Sequence, residues 1–411
     1  MSEQKMSLSR RRFLATSALG SAAVASGTLS MPSILRAQSA GVKLGLLHPV
    51  TGALSYSGQQ GRIGATMAVD EINAAGGIKS LNGAKIEPVL GDAQSTPDGG
   101  TAELEKMNSA DVSCVVGGYA SSICLAVSQA AARYDLPYVV DVGVADSIVT
   151  RGLKNTFRFS PGFGVIAKTA LDNLTVINDQ AGKPAKTVII VHEDSLFGSG
   201  LAKLLNAQLP PKGFEILETI PHPTPTRDFA NVVLKIKAQN PDLVIPANYY
   251  NEYVLLARTM LEQHVRPKGI YSVLGGAASS YKFVKDFPEA AKYIMDCNHW
   301  FNPKSAKAQE LKKRVEEKGQ YFTYELYLNY SAVLLVADAL EHAASADRAK
   351  IIAALEGSTF SSPIMPYGPT KFINGQNQGA APVNTQVLDN DIKAILPPEF
   401  ANAKAVFPMP A

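Results

Sequence analysis

Enzyme signatures are scarce in this chain. No Gly-x-Ser-x-Gly occurs, which excludes the strained strand-to-helix turn that presents a nucleophilic serine in α/β hydrolases. No Cys-x-x-Cys occurs, and the six histidines (His48, His192, His222, His264, His299 and His342) are scattered, with no pair at metal-ligand spacing within a helix. Each reads better as a single core or surface histidine. His192-Glu193-Asp194 is the one polar cluster of catalytic residue types, but neighbours on a strand point to opposite faces and are poorly placed to cooperate. Cysteine is limited to Cys114, Cys124 and Cys297, too few for a disulfide framework. Buried free thiols are the favoured reading, although an oxidising compartment would permit a Cys114–Cys124 bridge. A dinucleotide fingerprint is lacking too: Gly198-Ser199-Gly200 opens a helix, but Lys203 stands where the third glycine belongs. No metal or cofactor is therefore expected.

Long hydrophobic runs are also missing. The small-residue apolar run Ala15 to Leu29 is broken by Gly and Ser and falls short of the ~20 residues that a spanning helix needs. It comes directly after Arg10-Arg11-Arg12-Phe13-Leu14, so residues 1–37 read as an export signal of the twin-arginine kind, cut near Ala37 to Ala40. No cysteine lies near the cut, which argues against a lipid anchor. The expected location is the periplasm. Within this segment Lys5, Arg10, Arg11, Arg12 and Arg36 face only Glu3. The whole chain is +3, so the part beyond Ala37 carries about −1. Neither nucleic acid nor an acidic membrane surface is implied as a partner.

The chain does carry a repeated βα pattern. Val42-Lys43-Leu44-Gly45-Leu46-Leu47 is a short apolar run with the length of a buried strand, and a Gly/Ser loop with Tyr56 comes after it. Ala65, Ala68, Val69 and Ile72 then mark one face of a helix that Gly76-Gly77 stops. Strands are expected at 86–90, 112–117, 137–141 and 156–160, alternating with helices at 97–108 and 123–133. The plan restarts with a helix at 163–178. Strands at 187–192, 214–220, 242–246 and 270–274 alternate with helices at 198–209, 229–239 and 252–263. This predicts an α/β fold of two doubly wound, Rossmann-like halves. The chain left after Ala37 also exceeds the ~250–300 residues at which single cores stop growing. The last third holds a strand at 292–300, helices at 306–318, 324–344 and 346–356, and a hairpin pairing 370–373 with 383–388 around Asn374-Gly375. Too few strands remain for a third sheet, so these return to the first two halves.

In an open parallel sheet ligands bind at the carboxyl ends of the strands. The loops expected there carry Ser55, Tyr56 and Ser57, then Tyr119, Ala120, Ser121 and Ser122. Ser121 suits a helix N-cap, and a helix start offers free N–H groups and partial positive charge to a carboxylate. An ordinary cap, and ordinary packing for Tyr249, Tyr250 and Trp300, are the bland alternatives.

Taken as a set, several residues resemble those of periplasmic solute-binding proteins of the leucine/isoleucine/valine-binding type, which feed ABC importers. The landmarks are Thr51-Gly52, Gly64, Asp70-Glu71-Ile72-Asn73 with Gly76-Gly77-Ile78, Gly117 before Ser121-Ser122, and Phe157-Arg158. The Gly198 loop, Asp228-Phe229, Pro241-Asp242, Phe372 and Pro397 complete them. The resemblance covers 42–411. It implies a type I Venus-flytrap fold with three crossings, near Ser160, Trp300 and Phe372. Lobe 1 would be 41–160 plus 301–372, and lobe 2 would be 161–300 plus 373–411. It further implies a monomer that closes on a small solute and docks on an inner-membrane ABC permease after export by the twin-arginine machinery. Catalysis is not implied. A ligand-sensing module not coupled to transport would share the fold, but such modules usually continue into a membrane or signalling segment.

The resemblance carries site residues unevenly. Ser121 matches the serine that holds a ligand carboxylate, with Tyr56, Tyr119, Ala120 and Ser122 around it. Val142, Gly143 and Val144 fall on the loop that meets the ligand's carboxylate and amine, yet Val144 lacks the usual threonine hydroxyl. Gly275 stands at the position of the acid that neutralises an ammonium. Phe197 and Tyr249 match aromatic positions of the second lobe, and Trp300 is a further aromatic candidate. Either Asp141 or Asp146 supplies the missing acid, or the ligand has no ammonium. A branched-chain amino acid site is the family expectation; an aromatic or aliphatic carboxylate, or an amide, is the alternative.

Overall fold

The computed structural model describes residues 41–410; the export-signal reading of 1–37 lies outside the described residues. Strand β1 (Val42–His48) leads into helix α1 (Ser55–Ala74), β2 (Ile86–Asp92), α2 (Pro97–Ser109), β3 (Cys114–Gly117), α3 (Ser121–Ala132), β4 (Tyr138–Val140) and β5 (Thr156–Arg158). The second half holds α4 (Phe163–Gln180), β6 (Thr187–Glu193), α5 (Leu196–Gln208), β7 (Glu215–His222), α6 (Ala230–Gln239) and β8 (Leu243–Ala247). It continues through α7 (Tyr250–Glu262), β9 (Gly269–Val273), α8 (Tyr281–Asp286), α9 (Pro288–Ala291) and β10 (Met295–Asn298). Helices α10 (Ala306–Glu317), α11 (Tyr324–Ala343) and α12 (Arg348–Glu356) come next, then β11 (Phe372–Ile373), β12 (Gln376–Asn377), β13 (Val383–Leu388) and β14 (Asp391–Leu396).

The strands form two seven-stranded sheets, in the orders β2-β1-β3-β4-β5-β12-β11 and β7-β6-β8-β9-β10-β13-β14. The five leading strands of each sheet run parallel in the same relative order, 2-1-3-4-5. The order reverses beside β1 in one sheet and beside β6 in the other, and such reversals open a crevice at the strand ends. The expected pair of doubly wound halves is therefore the architecture.

Three crossings join the sheets. The first lies between β5 and α4. The second comes after β10, where the chain leaves for α10 and α11, which pack on the first sheet's side against α1, β3 and β4. The third departs from expectation. Asn374-Gly375 turns a two-residue ladder in which Phe372 pairs with Asn377, so this hairpin stays with the first sheet. The crossing falls after Asn377, and β13 pairs with β10 and β14 rather than with 370–373. Gly375 carries the turn with φ at 75°, the left-handed region that glycine adopts without strain.

A second correction concerns the Gly/Ser stretch after β1. It is helix, because α1 begins at Ser55, and its glycines are packing surfaces. A Cβ on Gly58 would meet the Pro49 carbonyl oxygen at 2.0 Å, and one on Gly64 would meet that of Leu326 at 1.9 Å. The helix thus lies directly against β1's exit and α11. Its apolar face is as the 3.6-residue period indicates, with Ala65, Ala68 and Val69 fully buried and Ile72 partly so. All three cysteines are buried and unpaired. Among the described residues, no helix is long and apolar enough to cross a membrane.

Candidate functional site

The turn from β3 into α3 is built by three consecutive residues at positive φ: Gly117 at 127°, Gly118 at 109° and Tyr119 at 58°. Side chains are barred from the first two. A Cβ on Gly117 would strike the Leu47 carbonyl oxygen at 2.0 Å, and one on Gly118 the Tyr138 hydroxyl at 2.3 Å. Tyr119 bears conformational strain, and its backbone N–H is fixed by Asp141 Oδ1 at 3.1 Å. The second sheet repeats the device. Leu274 follows β9 with φ at 56°, and the next N–H, of Gly275, donates to Asp296 Oδ1 at 3.1 Å. Tyr119 and Leu274 both face one cavity between the sheets.

That cavity has an empty volume of about 350 Å³, open mouth included, and is bounded by Tyr119, Ser121, Val142, Val144 and Tyr324 from the first sheet's side. Phe197, Asn248, Tyr249, Leu274 and Gly276 bound it from the second, with Asn298 at the end of β10 and His299 at the start of the second crossing. The Tyr249 ring lies 5.8 Å from Tyr119 and 5.3 Å from Phe197, centroid to centroid. Tyr119 and Tyr324 bring their hydroxyls to 3.2 Å. The cleft is closed, since Asn251 Nδ2 also reaches across to the Ala53 carbonyl at 3.3 Å.

Of the residues singled out from sequence, Tyr119, Ser121, Val142, Val144, Phe197 and Tyr249 line the cavity. Ser121 is not the cap of α3; Ala120 holds that position with extended backbone angles. Ser121 is the first helical residue, and its Oγ accepts the Ala145 N–H at 3.2 Å, which leaves the hydroxyl proton to donate. The other six stand behind or beside the wall. Tyr56 is engaged with Tyr250 instead, Ser122 is partly exposed on α3, and Gly143 presses on Cys124. Gly275 is enclosed by Ser272 and Tyr253. Trp300 is 1% exposed and packs among Tyr281, Phe301 and Tyr327, which makes it hinge core.

Sequence reasoning missed Asn248, Leu274, Gly276, Asn298, His299 and Tyr324. The strand-end rule would have found most of them: Asn248 comes just after β8, Leu274 just after β9, and Asn298-His299 ends β10.

No cavity-lining side chain is a carboxylate, lysine or arginine. Asp141 is engaged by Tyr119 N–H and by Asn329 Nδ2, the latter at 2.8 Å. Asp146 pairs with buried Arg158 at 3.0 Å. Asp296 accepts from Gly275, Ser279 and Asn298. Burial pushes the His299 imidazole down to about 3, with Arg158 adding repulsion, so it is neutral at physiological pH. Glu193 is occupied as well, accepting from Ser195 N–H and Oγ and from Gly198 N–H at the start of α5. Among the described residues no cluster of His, Cys, Asp and Glu could hold a metal.

The periplasmic binding protein family model matches residues 41–391. Leu/Ile/Val-binding protein homolog 7 of Brucella abortus is 27% identical over 383 residues, which span 90% of this chain and 95% of that one. Among solved structures, a leucine binding protein of Thermotoga maritima superposes with a TM-score of 0.74 at 20% identity, covering 86% of this chain and 97% of that one. A solute binding protein of an ABC transporter from R. palustris, in complex with benzoate, gives 0.73 at 20% identity, with 89% and 97% covered.

Proposed function

We propose, because this chain belongs to the periplasmic binding protein family, that it captures a small carboxylate-bearing solute lacking an ammonium group and delivers it to an inner-membrane ABC permease. The observation that carries the choice of ligand is the neutral lining of the cavity, with every nearby aspartate already paired inside the protein. An ammonium buried there would meet no counter-charge from a lining side chain, and left unpaired it would cost several kcal/mol. A carboxylate fares differently. Helix α3 starts at Ser121, which lines the cavity, with no side chain capping its first N–H groups, and a helix start stabilises an anion without a buried cation. Val142 and Val144 then supply apolar contact where an amine-binding loop would supply acceptors. Aromatic or aliphatic acids fit this lining; a branched-chain amino acid does not.

The ligand touches both lobes, so only the closed form makes all its contacts, and binding shifts the population toward closure. Tyr119 and Ser121 act from one side, Tyr249 and Phe197 from the other. The segment 1–37 is assigned to twin-arginine export, and the closed monomer is what the permease reads. Calorimetric titration of the protein with branched-chain amino acids, benzoate and short fatty acids tests the reading. Binding of an acid without an amine is expected. Tight leucine binding with no response to any of the other acids would overturn it.

A further inference from the structure

The cavity wall contains three buried polar atoms that bond nothing in the protein: Asn248 Oδ1 and both ring nitrogens of His299. Both residues are fully buried. Buried polar atoms left unpaired are uncommon and call for a partner. The orientation of Asn248 is fixed by its neighbour. His222 directs Nδ1 to the Pro223 carbonyl at 2.9 Å, so that nitrogen carries the proton and Nε2 is an acceptor. Burial lowers the pKa of His222 and keeps the ring neutral. The Asn248 amide nitrogen must therefore donate to His222 Nε2, which leaves Oδ1 as an acceptor with no donor. His299 is neutral, so its ring offers one N–H and one lone pair, and its backbone is held by the Tyr327 hydroxyl donating to its carbonyl at 3.0 Å.

The unmet requirement is thus for a group that both donates and accepts without carrying charge. A hydroxyl does this; an ammonium only donates, and a carboxylate only accepts. Aromatic rings of Tyr119, Tyr249, Phe197 and Tyr324 share the cavity lining with Asn248 and His299, and such rings favour an aromatic ligand. Building on the acid-binding reading above, we propose that Asn248 and His299 are specificity-determining residues that read a hydroxyl on the ligand, and that the ligand class is hydroxylated aromatic carboxylates.

Titration calorimetry of the protein with benzoate and with its 3-hydroxy, 4-hydroxy and 3,4-dihydroxy derivatives tests this. A site that hydrogen-bonds a ligand hydroxyl rejects the analogue lacking it, because its own polar groups are then left unpaired. At least one hydroxylated acid is expected to bind roughly tenfold or more tighter than benzoate. In His299→Phe and Asn248→Leu variants that retain a cooperative melt, that preference should fall to within about threefold of unity. Benzoate binding as tightly as every hydroxylated acid would overturn this inference while leaving the acid-binding reading standing, as would a preference that survives both substitutions. Binding of leucine with none of the four acids would overturn both.

Discussion

The Tyr56 and Tyr250 rings, one from each side of the cleft, lie 4.3 Å apart between centroids, with their planes inclined at 38°. Neither lines the cavity, yet the contact exists only while the two sheets are closed on each other. Such a pair contributes about 0.5–1.5 kcal/mol beyond its buried area. Tyr250→Ala should therefore weaken solute binding by roughly threefold to tenfold with no change in which solutes bind. Small-angle scattering with saturating ligand should show a more open mean form, and an unchanged affinity would mean the pair plays no part in closure.

Ser121 Oγ lines the cavity at the start of α3 and, since it accepts the Ala145 N–H, has its proton free to give. A hydrogen bond to a charged group is worth about 1.5–3 kcal/mol. Ser121→Ala should weaken carboxylate binding by roughly tenfold or more, whereas an uncharged amide analogue should lose less. Titration of both ligands against both proteins checks this; equal losses would place the carboxylate elsewhere.

Much of the fold could be read in the chain. Apolar runs at strand spacing and helix faces such as Ala65-Ala68-Val69 are set locally, so both doubly wound halves were legible. Two features were not. The Gly-rich start of α1 looks like a loop because glycine is a poor helix former, and only the close approach of Pro49 and Leu326 explains it. The 370–388 region offered one turn signal and two apolar runs, and local pattern does not state that the second run pairs with β10 of the other sheet. The site divided the same way. Tyr119, Ser121, Phe197 and Tyr249 stand between a strand end and the first turn of the next helix, whereas Tyr324 arrives on a helix from a distant part of the chain. The orphaned nitrogens of His299 are a property of burial that no residue type reveals.

Glu325 gives a stability signature. It is buried in the first turn of α11, and burial pushes its carboxyl up to about 7, against opposing hydrogen bonds from Ser57, Thr323 and Tyr324. Its other neighbours, Tyr56, Tyr119 and Tyr250, are neutral phenols. The folded protein holds this proton more tightly than the unfolded chain does, whose carboxyl titrates near 4.5. Between those values folding takes up a proton, so this group's contribution to stability is full below about 4.5 and is lost as pH rises through about 7. Glu325→Gln should remove that slope, on the order of 3 kcal/mol across the window. Urea unfolding of both proteins from pH 4.5 to 8 measures it, and parallel profiles would refute the assignment. The comparison is needed because Asp296, also pushed up by burial to about 6, slopes the same way, and His299 slopes oppositely.

Gly64 tests the packing of α1 on α11. In an unobstructed helix Gly→Ala gains roughly 0.5–1 kcal/mol. Here the new methyl would collide with the Leu326 backbone, which cannot rotate away. Gly64→Ala is expected to destabilise by about 1–3 kcal/mol, and Gly76→Ala, where nothing lies within 4 Å, serves as the control for left-handed strain alone at φ 111°. A stabilised Gly64→Ala protein in chemical denaturation would show that the helices are not in backbone contact.

The central claim is that the closed cavity is built for an acid and has no place for an ammonium. Its most direct test is mass spectrometry of whatever small molecule is released when natively purified protein is unfolded. A carboxylic acid without an amine is the expected product; a stoichiometric α-amino acid would contradict the account.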